Sequence, residues 1–252
     1  MHACTDENIA VLLDELSSYD MKLTTAQAAM LLKHLDLVIE KNKVVNLTRI
    51  VTVQEAIDKH IVDSLLILKV IEDKNLLESK KIYAGRFLDI GSGAGFPGIP
   101  LAITTTLQGT LIDSVGKKLK AIQEFIDQLG LSNARAEHIR VEELAKIENH
   151  SFDLIVARAV AETAVLMEYA TPLLPIGGRL VVTKAIPSEE ELQHAHAVED
   201  LFGLQSVSRE TFELPNDSGK RTIITYEKVF KEKLKLPRNT GMAKHHPLYE
   251  SR

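Results

Sequence analysis

Between residues 87 and 100 the chain reads Phe87-Leu88-Asp89-Ile90-Gly91-Ser92-Gly93-Ala94-Gly95-Phe96-Pro97-Gly98-Ile99-Pro100. A short apolar run ends in closely spaced glycines and passes at once into a stretch with helical character. Glycines in such a bend permit positive φ angles and let the backbone approach a ligand without Cβ clashes. Gly93 to Gly98 satisfies G-x-G-x-x-G, the spacing by which a strand–turn–helix unit seats a dinucleotide. Asp89, two residues before the first glycine, argues for another ligand. A carboxylate there repels a pyrophosphate and suits a cationic amino-acid end, such as the ammonium of S-adenosylmethionine. Asp89, Gly91, Gly93 and Gly95 are therefore expected at a cofactor. Asp113 closes the next apolar run, 24 residues after Asp89. Doubly wound folds place an acid there against ribose hydroxyls. NAD enzymes do the same, so Asp113 indicates an adenine nucleoside and leaves its class open.

Positioning these residues requires alternating strands and helices, and the chain from Arg86 onward has that rhythm. Strands are predicted at Arg86–Ile90, Thr110–Asp113, Ala134–His138, Phe152–Ala157 and Arg179–Thr183. Helices fit at 97–106, 117–129, 141–147 and 161–173. The alternation implies a parallel sheet with right-handed crossovers. Two last runs, Leu204–Thr211 and Arg221–Val229, flank Pro215-Asn216-Asp217-Ser218-Gly219 and read as an antiparallel hairpin. The first eighty residues read as helices at 7–19, 24–42 and 53–71, the second capped by Thr24 or Thr25. Lys69 to Lys81 is polar and mixed, as a hinge would be. The expected organisation is a helical cap over 1–80, an α/β domain over 81–230 and a tail over 231–252.

The composition, 45% hydrophobic and 26% charged in 252 residues, is that of a globular protein and excludes collagen-like and disordered classes. No apolar stretch approaches the ~18 residues of a membrane span. The first residues lack the basic start and apolar core of a secretory signal. Cys4 is the sole cysteine, which excludes an internal disulfide and disfavours a cysteine-built metal site. The default expectations are a cytoplasmic monomer without metal. The net charge is −5, but it is unevenly spread: residues 228–252 carry +5 and the remainder −10. A basic tail on an acidic body permits RNA binding, because exposed charges act over only ~8–10 Å.

At this point the chain resembles the bacterial 16S rRNA guanine-N7 methyltransferases (RsmG, or glucose-inhibited division protein B). The resemblance runs through Asn42-Lys43-Val44-Val45-Asn46-Leu47-Thr48, His60-Ile61-Val62-Asp63-Ser64, the Asp89–Leu101 segment and Asp113-Ser114-Val115-Gly116-Lys117-Lys118. It continues in Arg140-Val141-Glu142-Glu143, Phe152-Asp153, Arg158-Ala159 and Lys184. It implies a class I S-adenosylmethionine-dependent methyltransferase fold: Rossmann-like, with a mostly parallel seven-stranded sheet, an antiparallel last strand and an N-terminal helical cap. It further implies that Gly91 through Phe96 line the methionine and adenosine side, that Val141 and Glu142 meet the adenine, and that Arg158 sits at the mouth near cofactor and substrate. In part of the family a Gly-Thr-Pro stands where this chain has Gly241-Met242-Ala243, and glycine is common where it has Ala185.

Absent motifs narrow the chemistry separately. Pyrimidine C5 methylation generally needs a cysteine near the fourth strand, and Cys4 lies far from it. Exocyclic amino methylation usually brings Asn/Asp-Pro-Pro-aromatic after that strand, where this chain reads Ala157-Arg158-Ala159-Val160. Guanine N7 carries an in-plane lone pair and no proton, so a site without an acid–base pair suffices. Arg158 is the candidate catalytic residue, orienting guanine or a carboxylate through its planar fork. The alternative is an ion pair with Glu162, one helical turn away. His60 is expected to bridge cap and sheet rather than to catalyse. Lys117, Lys118, Lys120, Lys184, Arg209 and the Lys228–Lys235 cluster are candidate phosphate contacts. Two other readings are a nicotinamide-dependent oxidoreductase and a non-catalytic S-adenosylmethionine-binding factor in ribosome assembly.

Overall fold

A computed structural model describes residues 2–50, 52–73 and 85–251. Its N-terminal part is helical where the apolar spacing predicts it. Helix α1 (Asp6–Ser17) is capped by Thr5, whose hydroxyl accepts from Asn8 N–H. Helix α2 (Thr25–Asn42) opens with a reciprocal capping box between Thr24 and Gln27. Helix α3 (Val53–Ala56) runs through a π-helical turn (Ile57–Val62) into α4 (Asp63–Asp73). Part of the predicted hinge, from Lys69 to Asp73, thus continues a helix, and residues 74–84 lie outside the described residues.

From Arg86 the chain forms β1 (Arg86–Ile90), α5 (Gly98–Thr104), β2 (Gln108–Ile112), α6 (Gly116–Leu129), β3 (Ala134–Glu137) and α7 (Val141–Ile147). It continues with β4 (Leu154–Arg158), α8 (Thr163–Ala170), β5 (Arg179–Lys184), α9 (Glu189–Phe202), β6 (Leu204–Glu213) and β7 (Lys220–Lys228). A last short helix is α10 (Met242–His245). The sheet order is β3-β2-β1-β4-β5-β7-β6. β7 runs antiparallel to both β5 and β6, and the other described pairings are parallel. This is the seven-stranded arrangement expected, with element ends shifted by up to three residues. Helix α9 was not predicted, because Glu189-Glu190-Glu191 and scattered charges dilute its apolar spacing. Ser188 was its legible signal, capping Glu191 N–H.

Strand alternation divides the core into two. Phe87, Leu111, Val156, Val181 and Ile223 face one side and share an apolar cluster with Leu31, Leu35, Leu66, Ile99 and Phe125. Leu88, Ile155, Val182 and Ile224 face the other and pack against α7, α8 and α9 through Leu144, Leu166, Val198 and Phe202. The N-terminal helices therefore cover one sheet face alongside α5 and α6. Because the order reverses between β1 and β4, the carboxyl ends of these strands open a crevice, where doubly wound folds bind ligands.

Candidate active site

The crevice is a cavity of about 1040 Å³, ample for a nucleoside cofactor together with part of a second molecule. Its floor is the bend after β1. Gly91, Gly93 and Gly95 take φ of +73°, +59° and +89°. Gly91 and Ser92 donate their N–H groups to Ile112 O at 2.9 and 3.0 Å, tying the bend to β2. A Cβ at Gly91 would lie 2.7 Å from Val160 Cγ2, so side-chain absence there is a packing requirement as well as a conformational one.

Of the residues expected at the cofactor, Gly91, Gly93, Phe96, Asp113, Val141, Glu142 and Arg158 line the cavity together. Asp89 and Gly95 are not among the lining residues. Asp89 is fully buried and accepts the Gly98 N–H at 2.9 Å, holding the start of α5. Its carboxylate thus stands one layer behind the wall. Burial pushes its pKa up to about 7, against the lowering effects of Ser92, the Gly98 N–H and Arg158. Its second oxygen, Oδ1, is buried without a hydrogen-bond partner. Such a group favours a cation brought near it. Gly95 packs towards Ile99 and His34 instead. Asp113 secures the loops, accepting from Gly93 N–H at 3.1 Å and Val115 N–H at 2.9 Å. A carboxylate has lone pairs beyond these two bonds for ribose hydroxyls.

Phe96 is clamped by histidines from the N-terminal helices. His34 lies 4.4 Å from its ring centroid and His60 stacks on it at 4.7 Å. His34 Nε2 meets Ala94 O at 3.1 Å, which makes that nitrogen the donor to the bend. Burial pushes the pKa of both histidines down to about 3, the positive charge of Arg158 adding to the effect at His60. His60 contacts Thr48 Oγ1 at 2.9 Å within the cap, and its Nδ1 lies 3.4 Å from the Arg158 guanidinium at the end of β4, so the expected cap-to-sheet contact is present.

Arg158 ends β4, and its guanidinium donates at 2.9 Å to both Lys59 O and Asp63 Oδ2. Its ion-pair partner is thus Asp63, not Glu162; the correction follows from the π-helical turn, which presents Lys59 and His60 to the cavity and leads into Asp63 at the start of α4. Such turns recur at functional sites. Asp63 is 1% exposed and also lies 3.0 Å from Arg221 Nε. Ala159, next to Arg158, adopts φ +55°, an uncommon conformation for a residue with a side chain. Asp63, Arg221, Arg49 and Tyr169 join the cavity without having been assigned a role from sequence. The resemblance quoted Asp63, and that was the available signal.

The lining is rich in cations: Arg49, Lys59, Lys118, Arg140, Arg158, Lys184 and Arg221 stand against Asp63, Asp113 and Glu142. Of the candidate phosphate contacts, Lys118 and Lys184 lie here, whereas Lys117, Lys120 and Arg209 do not. Lys184 is anchored to Glu191 at 2.6 Å, a residue supplied by α9. The basic tail is partly neutralised internally. Lys228 is buried and bonded to Thr171 O, Leu174 O and Glu232; Lys233 pairs with Asp200 and Arg238 with Glu168. Among the described residues no helix is long and apolar enough to cross a membrane.

A seven-stranded sheet of this order, with a glycine bend, a following acid and a crevice between, defines a class I methyltransferase fold. Solved structures with that fold include a candidate S-adenosyl-L-methionine-dependent methyltransferase from Methanococcus maripaludis (TM-score 0.53, 19% identity, covering 72% of this chain and 93% of that one). The ribosomal protein L11 methylase of Lactobacillus delbrueckii is another (TM-score 0.50, 16% identity, 65% and 78%). Residues 27–219 match the family model for rRNA small subunit methyltransferase G. Curated relatives named ribosomal RNA small subunit methyltransferase G are 35% identical in Lactobacillus johnsonii (96% of this chain, 100% of the relative) and 37% in Caldicellulosiruptor bescii (94% and 99%). The chain belongs to the rRNA small subunit methyltransferase G family, and the nicotinamide oxidoreductase reading falls.

Proposed function

We propose that the protein transfers a methyl group from S-adenosylmethionine to N7 of a guanine in 16S rRNA of the small ribosomal subunit. The observation that carries this reading is the cavity itself: a nucleoside-type floor and a cationic mouth in a chain of net charge −5. Positive-φ glycines supply a cradle, and the unpartnered buried oxygen of Asp89 supplies a field that favours a cationic amino-acid end. When bound, S-adenosylmethionine supplies an electrophilic methyl carbon on a positively charged sulfur. Asp113 accepts from the ribose hydroxyls, and Val141 and Glu142 flank the adenine. Arg158, fixed by Asp63 and Lys59, orients the methionyl carboxylate or the guanine.

The guanine N7 lone pair forms the new bond to carbon as the carbon–sulfur pair returns to sulfur. The positive charge passes to the purine, and no proton moves. Positioning therefore dominates, with reacting atoms held roughly 3–3.5 Å apart. No general base is needed, which agrees with the character of the pocket: His60, its nearest imidazole to Arg158, is kept neutral and engaged by Thr48. Lys118, Arg140, Arg49 and Arg221 surround the mouth and suit the phosphates of an RNA strand. Labelled S-adenosylmethionine incubated with naked 16S rRNA and with small subunits, followed by nucleoside mass spectrometry, tests the reading. Labelled 7-methylguanosine is expected. Labelling of another nucleoside would overturn the N7 assignment, and binding without transfer would favour the assembly-factor alternative.

A further inference from the structure

Glu142, on the adenine side of the cavity, is held from outside the sheet. Its Oε1 accepts a 2.8 Å bond from Gly241 N–H, and Thr240 Oγ1 donates to the neighbouring Glu143 at 2.9 Å. Gly241 takes φ +85° at the start of α10, a conformation that glycine adopts without steric penalty. Both ends of this contact are anchored. Upstream, Arg238 grips Glu168 with two parallel bonds of 2.7 and 2.6 Å and also donates to His246 O at 3.0 Å. Downstream, Tyr249 stacks on His194 at 3.8 Å and donates its hydroxyl to Glu162 at 2.6 Å. Leu234, Leu236 and Leu248 pack on the apolar cluster beneath. Ala243 is buried.

These contacts make residues 234–249 part of the body rather than a free basic arm. We infer that this segment is a positioning strap for the cofactor site, in which Gly241 N–H fixes the Glu142 carboxylate so that its other oxygen can serve the adenine end of S-adenosylmethionine. The inference rests on the proposed placement of adenine at Val141 and Glu142. Gly241, Thr240 and Arg238 touch neither cofactor nor RNA in this scheme and act through Glu142 and Glu143. Charge-assisted bonds such as Arg238 to Glu168 are the stronger class of hydrogen bond, which explains how a short segment keeps its place.

The test is calorimetric titration of S-adenosylmethionine into five proteins: the unaltered chain, a chain ending at Pro237, Arg238→Gln, and Glu142→Ala with and without the truncation. Loss of the strap is expected to raise the cofactor Kd at least fivefold, with Arg238→Gln changing it in the same direction. In the Glu142→Ala background the truncation should add less than twofold, because the group it positions is gone. The KM for RNA should stay within twofold in Arg238→Gln. Should the truncated chain fail to melt cooperatively, Arg238→Gln, which keeps the whole segment, decides alone. An unchanged cofactor Kd in Arg238→Gln, or an equal loss in both Glu142 backgrounds, would overturn the strap. So would a raised RNA KM with a flatter salt dependence and an unaltered cofactor Kd, which marks an RNA arm. Absence of S-adenosylmethionine binding by the unaltered chain would instead sink the cofactor reading, and the strap with it.

Discussion

The two walls of the cavity are held by opposite ends of the sequence with different chemistry. On the glycine-bend side, α2 and the π-helical turn use groups removed from water: His34, His60, Phe96 and Asp63 are all buried. On the Glu142 side, the C-terminal segment uses hydrogen bonds and ion pairs nearer the surface, among them Thr240 to Glu143 and Lys233 to Asp200. Buried groups resist salt and respond to pH, because desolvation moves their pKa values. Surface pairs respond to salt and contribute little each, about 0–1 kcal/mol. One wall is therefore buried and titratable, while the other combines screened surface pairs with the largely buried Arg238–Glu168 pair.

The largest effect should come from breaking the buried wall. Arg158→Ala is expected to lower RNA methylation at least tenfold at saturating cofactor. It also leaves Asp63 with Arg221 as its remaining cation, so denaturant unfolding should show a loss below the ~3–5 kcal/mol of a fully orphaned buried charge. Arg158→Lys should recover part of the stability and little of the rate, since one ammonium cannot reproduce the bonds to Asp63 and Lys59 together. Near-normal turnover by Arg158→Ala would remove this residue from the site.

That residue also shows where sequence reading stops. Position 158 was legible as a strand end after an apolar run, but its partner was sought at Glu162 by helical spacing and found in Asp63, on the N-terminal helices. Contacts between residues so far apart in sequence depend on tertiary packing, which periodicity does not encode. The same holds for the tail, whose lysines and arginine read as candidate phosphate contacts because Glu168 and Asp200, their partners, lie on α8 and α9. By contrast the geometry of the β1 bend was legible, since strand, turn and helix are one local unit, although Gly95 turned out to pack towards His34 and Ile99 instead of the cavity. Asp89 falls between: its position was legible, its burial was not, because exposure at a strand end depends on how tightly Gly98 closes over it.

A second effect is the pH dependence of stability. His34 and His60 have folded pKa values of about 3 against 6.5 for the free side chain. Between those limits the unfolded chain binds more protons, so their contribution is complete above pH 6.5 and is lost as pH falls towards 3. Asp89 acts oppositely: raised from 3.8 to about 7, it costs stability as pH rises through that window. Two histidines outweigh one aspartate between pH 4 and 6.5, so the net expectation is loss on acidification. His34→Asn should reduce that slope by about 1.4 kcal/mol per pH unit, the value for one proton. An unchanged slope in urea titrations at several pH values would show that His34 does not titrate as a buried neutral group.

A smaller signal should accompany cofactor binding. If a cationic amino-acid end approaches Asp89, its pKa falls and a fraction of a proton is released near pH 7. The binding heat should then vary with the ionisation enthalpy of the buffer, and Asp89→Asn should abolish that variation. A buffer dependence that persists in Asp89→Asn would assign the proton elsewhere. The smallest effect belongs to the C-terminal segment's remaining charges. Replacing Lys231, Lys235 and Lys244 together by glutamine should alter the salt slope of RNA binding by less than substitution of Arg49, Lys118 and Arg140 at the cavity mouth. The reverse ranking would return the main RNA contact to the C-terminal segment.

The most direct test is a crystal structure with S-adenosylhomocysteine, the demethylated form of the donor. Its amino-acid end should rest on the Gly91–Gly93 bend with Asp89 behind it, the ribose at Asp113 and the adenine between Val141 and Glu142. A bend left bare by the nucleoside, or one crossed by a diphosphate when NAD is supplied, would contradict the account.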